Sequence, residues 1–193
     1  MKYKRLKRDF FNRPTLKVAR HLLGKYLVRK IEGKMIFGKI TETEAYCGPN
    51  DLASHASRGR TKRTEIMFGK PGLIYVYMIY GMYYCFNIVT EKEDYPAAVL
   101  IRGVKVEHSA KRLALSDMLI LDGPGKLCRK FKIDKKLNGL DICKNSEIWI
   151  ENRGEKTKLR NIKTTPRVGI DYAGKYKNKP WRFILNSKTK KLT

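Results

Sequence analysis

Acidic side chains are scarce in this sequence: 18 Asp and Glu stand against 43 Lys and Arg in 193 residues, a formal charge of +25. A folded chain with that excess repels itself, and a polyanionic partner is the usual physical reason to tolerate it. Nucleic acid leads, and an anionic membrane surface comes second. Histidines number three, His21, His55 and His108, and cysteines four, Cys47, Cys85, Cys128 and Cys143, with no Cys-x-x-Cys and no Cys–His spacing that suits zinc. No metal site and no other cofactor is therefore expected, and a reduced cytoplasmic or nucleoid setting is the simplest one. No apolar signal-type stretch follows the basic N-terminus, so secretion is not expected. The uncharged run from 71 to 90 is broken by Pro71, Gly72, Gly81 and Asn87 and carries five tyrosines. A membrane span needs about 20 mainly apolar residues, so the run reads as a buried hairpin. Gly-x-Ser-x-Gly, Gly-x-Gly-x-x-Gly and zinc-deaminase patterns are absent. Gly123-Pro124-Gly125-Lys126-Leu127 is no Walker loop either, because Leu127 replaces the Ser or Thr and Ile120 the required glycine.

What is present suffices for a core: 42% hydrophobic residues, with 7 Phe, 11 Tyr and 2 Trp. No repeat or low-complexity linker divides the chain, so one domain over 1–193 is expected, with a basic tail from about 187. Leu16, Ala19, Leu22 and Leu23 space a short helix, with Thr15 as its candidate cap and Gly24 beyond its end. Lys25 to Ile31 and Met35 to Tyr46 flank Glu32-Gly33-Lys34 as a hairpin. A second hairpin pairs Tyr75 to Tyr80 with Tyr83 to Val89 around Gly81-Met82. Ala97 to Val106, Glu147 to Glu151 and Trp181 to Leu185 read as further strands, and Lys126 to Phe131 as a short helix. The sum is an α+β domain around a curved, mainly antiparallel sheet, with peripheral helices and a protruding β-hairpin.

Several segments could carry chemistry. Basic residues gather at both ends, with 13 Lys and Arg in residues 1–40 and 12 in residues 156–193. Arg58-Gly59-Arg60-Thr61-Lys62-Arg63 packs four cations into six residues and suits a phosphate-contacting loop through Arg58, Arg60, Thr61 and Arg63. In an extended Thr41-Glu42-Thr43-Glu44-Ala45-Tyr46, the side chains at 42, 44 and 46 share one face. Taken alone, the two carboxylates read either as a site beside a cationic groove or, more simply, as ion pairs with neighbouring lysines. His55 reads as a hydrogen-bonded structural histidine. The tyrosines from 75 to 84 read as core, or as rings for base stacking with an aromatic wedge at the tip.

Taken together these residues resemble the alkyladenine (3-methyladenine) DNA glycosylase family. The matching blocks are Glu42-Thr43-Glu44-Ala45-Tyr46, Gly48-Pro49, Asp51, Ala53, His55, Met67-Phe68, Gly72, Tyr75-Val76-Tyr77 and Tyr80-Gly81-Met82. They continue in order through Cys85 to Asn87, Leu100-Ile101-Arg102, Gly123 to Cys128 and Arg167-Val168-Gly169. The resemblance implies a monofunctional base-excision enzyme that flips alkylated or deaminated purines out of duplex DNA and hydrolyses their N-glycosidic bond. It implies Glu44 as general base, with Arg102 and the backbone carbonyl of Val168 holding the attacking water. It further implies Tyr46 and Tyr77 as the rings around the flipped base, and His55 as a donor in its pocket. Asn87 would reject guanine, and Tyr80 would be the wedge that fills the vacated stack. The expected partner is double-stranded DNA containing damaged purines, met by a monomer. Two other readings stay open on the residues alone: a nucleic-acid-binding protein without catalysis, and a glycosylase with lyase activity through a lysine Schiff base.

Overall fold

One strand of thirteen residues, Lys34–Tyr46, organises the molecule. The computed structural model describes residues 3–107, 119–155 and 157–186; the basic tail and His108 fall outside them. Among the described residues, ten strands form one open sheet whose pairings are all antiparallel. In chain order they are β1 (Lys4–Arg5), β2 (Tyr26–Ile31), β3 (Lys34–Tyr46), β4 (Ile74–Ile79), β5 (Tyr83–Val89), β6 (Ala98–Glu107), β7 (Leu119–Leu121), β8 (Ile148–Asn152), β9 (Ile162–Thr165) and β10 (Arg182–Leu185). The main path runs β1-β8-β2-β3-β6-β5-β4; β7 pairs with β6, and β9 with β10. The α+β expectation holds. The short strands β1, β7 and β9 had no sequence signal, because two to four residues are too few to show an alternation.

β3 changes neighbours along its length. Its first half pairs with β2 and Glu42 to Glu44 with β10, Glu44 standing opposite Arg182, while β6 lies along the other side from Phe37 to Tyr46. The β2–β3 hairpin closes through Glu32 and Gly33, both at positive φ, as a two-residue turn of the twist-matching kind requires. The β3–β6 register slips twice. Ile40 faces Val104, Glu42 faces Gly103 and Thr43 faces Ile101, so Thr41 and Arg102 are extra residues on their respective strands. Such bulges re-aim side chains, and here they face β3 and β6 toward one another at Glu42, Glu44 and Arg102.

Among the described residues, three α-helices pack around the sheet: α1 (Arg8–Phe11), α2 (Thr15–Leu22) and α3 (Pro124–Lys130). α2 buries Val18, Ala19 and Leu22, and the Thr43 hydroxyl donates to the Ala19 carbonyl at 2.9 Å, tying α2 to β3. Thr15 is not the cap expected of it: Pro14 holds that position, and the Thr15 amide donates to Glu91 Oε1 at 3.0 Å. The distant carboxylate serves as the capping acceptor. α3 buries Leu127 and Cys128 and lies over β5 and β6. The main core joins Phe11, Leu22, Ile40, Phe86, Ile101, Phe131 and Phe183, so residues from every third of the chain close over the sheet. No helix of the described residues is long and apolar enough to cross a membrane.

Candidate active site

A cavity of about 570 Å³ opens beside the C-terminal half of β3, within the range of small-molecule sites. Glu44 lies at its inner surface with no solvent exposure. The Val168 amide donates to Glu44 Oε1 at 3.0 Å, and the Tyr46 hydroxyl donates to Oε2 at 2.9 Å. Arg102 Nε stands 3.7 Å from Glu44 Oε1 and 2.8 Å from Glu42 Oε1. Burial pushes the Glu44 carboxyl above its ordinary range, while Arg102, the Val168 amide, the Tyr46 hydroxyl and Arg182 pull it back. The carboxylate thus sits dry and basic, with two of its roughly four acceptor positions still open. The expectation put the carbonyl of Val168 near the reacting water; the group that meets Glu44 is its amide N–H.

Aromatic rings make the walls. Tyr46 and Tyr77 both line the cavity, with their phenols pushed well above the usual value, first by burial. Both therefore stay neutral hydroxyls. His55 turns its ring edge-on to Tyr77 with centroids 4.5 Å apart, and its Nδ1 lies 2.9 Å from the Tyr75 hydroxyl. Burial, with Arg63 and Arg58 nearby, lowers its pKa to about 4, so the ring is uncharged at neutral pH. Asn87 is buried on the same wall and donates through Nδ2 to the carbonyls of Tyr75 at 3.0 Å and Cys85 at 3.4 Å. All of Glu44, Tyr46, His55, Tyr77, Tyr80, Asn87, Arg102 and Val168 border this one space. Among the described residues, no group of His, Cys, Asp and Glu could hold a metal ion.

Comparison with known proteins decides the family of the chain. The family model for methylpurine-DNA glycosylase matches residues 9–189. A relative from Methanocella arvoryzae named "Putative 3-methyladenine DNA glycosylase" is 50% identical over 184 residues, covering 92% of this chain and 90% of its own length. One of the same name from Desulfitobacterium hafniense is 47% identical, covering 94% and 95%. The chain belongs to the methylpurine-DNA glycosylase family. As a DNA-repair glycosylase it is a hydrolase whose substrate is DNA.

Two features of this glycosylase's site departed from the sequence reading. The lysine ion pairs weighed for the two carboxylates are absent among the described contacts of Glu42, which accepts from Arg182 Nε at 2.6 Å and pairs with Arg102. Two arginines do that work because strand pairing brings β6 and β10 to the flanks of β3. The hairpin loop is also one residue longer than expected, with β4 ending at Ile79 opposite Tyr83 and Tyr80-Gly81-Met82 between them. Tyr80 stands there at φ 52° and 85% exposed.

The basic loop follows a 3-10 helix over His55–Arg58. Arg58 is exposed, while Arg60 is tied to Asp94 and stacks over Phe68, and Thr61 donates its amide to Thr64 Oγ1 at 2.8 Å. Arg63 lies over the Tyr77 ring at 5.3 Å, at the rim of the site.

Asp51 and Arg167 are the pair that sequence reasoning left without a role. Arg167 Nη2 donates to Asp51 Oδ1 at 2.8 Å and its Nη1 to the Ala45 carbonyl at 2.8 Å, with both side chains fully buried. The same guanidinium stacks on Tyr46 at 4.8 Å and on Trp181 at 5.0 Å. It therefore braces the Tyr46 ring and fixes the backbone that delivers the Val168 amide. Only their membership of matched blocks could have marked them, since 116 residues separate the partners.

Proposed function

We propose that this glycosylase excises alkylated or deaminated purines, of the 3-methyladenine, 7-methylguanine, hypoxanthine and ethenoadenine class, from duplex DNA as a monofunctional, monomeric enzyme. The observation that carries the reading is Glu44: a fully buried carboxylate, basic by desolvation and held on both oxygens, opening onto an aromatic-walled cavity. A binding module gains nothing from an anion at that depth, which would repel the backbone it has to hold.

The damaged nucleotide leaves the stack, at a cost of a few kcal/mol that is smaller for a damaged pair, and enters between the walls of Tyr46 and Tyr77. Tyr80, on its exposed tip, fills the gap left in the duplex from the minor groove. Glu44 takes a proton from water as the water oxygen bonds to C1′ and the N-glycosidic bond breaks, its electron pair leaving with the purine. The residual negative charge on the carboxylate stabilises the oxocarbenium-like sugar, and Arg102 with Val168 positions the water. A cationic alkylpurine departs as a neutral base and stacks favourably on the tyrosine faces, so it needs no acid. Neutral His55, near Tyr77, contacts the base or its 5′ sugar-phosphate, and Asn87 stands where the exocyclic amino group of guanine would press, a penalty that 7-methylguanine shares but overcomes because its positive charge makes it the better leaving group. Arg58, Arg60, Thr61 and Arg63 meet the phosphates.

Single-turnover release of base from duplexes holding 3-methyladenine, hypoxanthine, 1,N6-ethenoadenine or adenine tests the reading. Wild type should release one or more lesions but not adenine, and Glu44→Gln should lose at least about a hundredfold in rate while still binding the lesion. Near-normal turnover by Glu44→Gln overturns the assignment of the base. Trapping of a protein–DNA adduct by borohydride would show lyase chemistry in its place.

A further inference from the structure

The second carboxylate, Glu42, is buried to 7% exposure, carries a charge that the proposed reaction does not use, and sits in a seat built for it. Three observations define that seat. First, two arginines from different strands converge on one oxygen: Arg102 Nε at 2.8 Å and Arg182 Nε at 2.6 Å from Glu42 Oε1. Secondly, Gly103 faces Glu42 across the pair of bulges, and a Cβ there would lie 3.0 Å from Glu42 Cβ, 3.3 Å from its Oε2 and 3.2 Å from the Leu121 carbonyl. A side chain at 103 would press on the carboxylate and on the Leu121 carbonyl, which would have to give way by a few tenths of an ångström. Thirdly, Arg102 is itself the bulged residue of β6, and its Nε also stands 3.7 Å from Glu44 Oε1. One guanidinium is thus shared between the two carboxylates.

We infer that Glu42 is a positioning residue for excision: it anchors Arg102 beside Glu44 and balances the charge of Arg102 and Arg182, so that Glu44 keeps the basicity its reaction needs.

The electrostatics follow from counting. Glu42, Glu44, Arg102 and Arg182 sum to zero, and the other groups that face Glu44 are neutral or spoken for. Tyr46 and the Val168 amide donate to it, Tyr77 and Cys85 lie across the cavity as uncharged hydroxyl and thiol, and Arg167 behind Tyr46 is neutralised by Asp51. Without Glu42 the cluster becomes net positive. An unbalanced cation close to Glu44 weakens it as a base and opposes the positive charge that grows on the sugar. Glu42 acts through Arg102 and needs no contact with substrate; it does not border the cavity.

This inference rests on the assignment of Glu44 as base, and its test separates the two. Single-turnover excision of 7-methylguanine would be followed against pH, since the fixed positive charge of that lesion keeps protonation of the leaving group out of the acidic limb. Wild type, Glu44→Gln, Glu42→Gln, Arg182→Gln and the double variant Glu42→Gln/Arg182→Gln would be compared, with lesion-duplex affinity measured alongside. Glu42→Gln should move the acidic limb about one pH unit toward acid and lower the plateau roughly three- to tenfold, with affinity retained. Arg182→Gln, which removes a cation, should move the limb the other way, and this reads out even if Glu42→Gln folds poorly. The double variant should return the limb to near its wild-type place, which a merely structural role would not do. Unmoved limbs in the Glu42→Gln and Arg182→Gln variants, with Glu44→Gln inactive, overturn the inference alone. Activity in Glu44→Gln overturns the base assignment beneath it.

Discussion

At the scale of single residues, the site is governed by desolvation. Glu44 binds its proton more tightly in the fold than in the unfolded chain, so between the ordinary carboxylate range and its raised value the folded state holds the extra proton. Stability is then lost as pH rises through that window. Glu44→Gln should melt higher than wild type at pH 7, by about 2–4 °C for each kcal/mol of relieved desolvation, and the gap should close toward pH 4. Thermal melts across pH check it. The pH profile of excision should fall on its acidic side at a higher pH than a free carboxylate would give. His55 has the opposite sign: its folded pKa of about 4 lies below the ordinary 6.5, so its contribution is intact above 6.5 and is lost as pH falls toward 4. The His55→Gln variant should show flatter melting across that interval. A wild-type slope retained in the variant would place the titration elsewhere.

At the scale of elements, the tip hairpin trades stability for reach. Tyr80 and Gly81 both occupy the left-handed region, and the Met82 amide closes the turn on the Ile79 carbonyl at 3.2 Å. Glycine adopts that backbone freely, whereas an aromatic residue there is strained. Tyr80→Gly should therefore stabilise the protein by up to about 1 kcal/mol in denaturant melts while weakening lesion-duplex binding tenfold or more. If binding is unchanged, the wedge role is wrong. The hairpins, the long strand and α2 were legible because their alternation, turn residues and helical spacing are local. The extra loop residue at the tip was not, since Tyr80 breaks the usual residue preference of such a turn. The capping of α2 by Glu91 and the brace of Arg167 on Tyr46 were also hidden, because each depends on partners far apart in sequence. The shared face of Glu42 and Glu44 could be read from period two, but the arginines that divide the pair's roles could not. A double bulge between strands leaves no mark in one strand's pattern.

At the scale of the whole molecule, a charge of +25 should make duplex affinity fall steeply with salt, by roughly 0.9 in log–log slope for each phosphate neutralised. Arg58→Ala should make that slope shallower by about one, and Arg60→Ala by less, because Asp94 already engages Arg60. Binding isotherms from 50 to 300 mM salt distinguish them, and equal slopes for all three proteins would remove the loop from the interface. β3 adds a consequence in time. Its neighbours come from residues 26–31, 98–107 and 182–185, so the strand that bears Glu44 gains its last partner only after nearly the whole described chain has been made. Such high contact order is slow to close, and synthesis delivers β10 last. A chain halted before Arg182 lacks both that cation and the core ring of Phe183. An incomplete copy on the ribosome therefore lacks the edge strand and the cation beside Glu42, and the surroundings of Glu44 are completed only with the last strand.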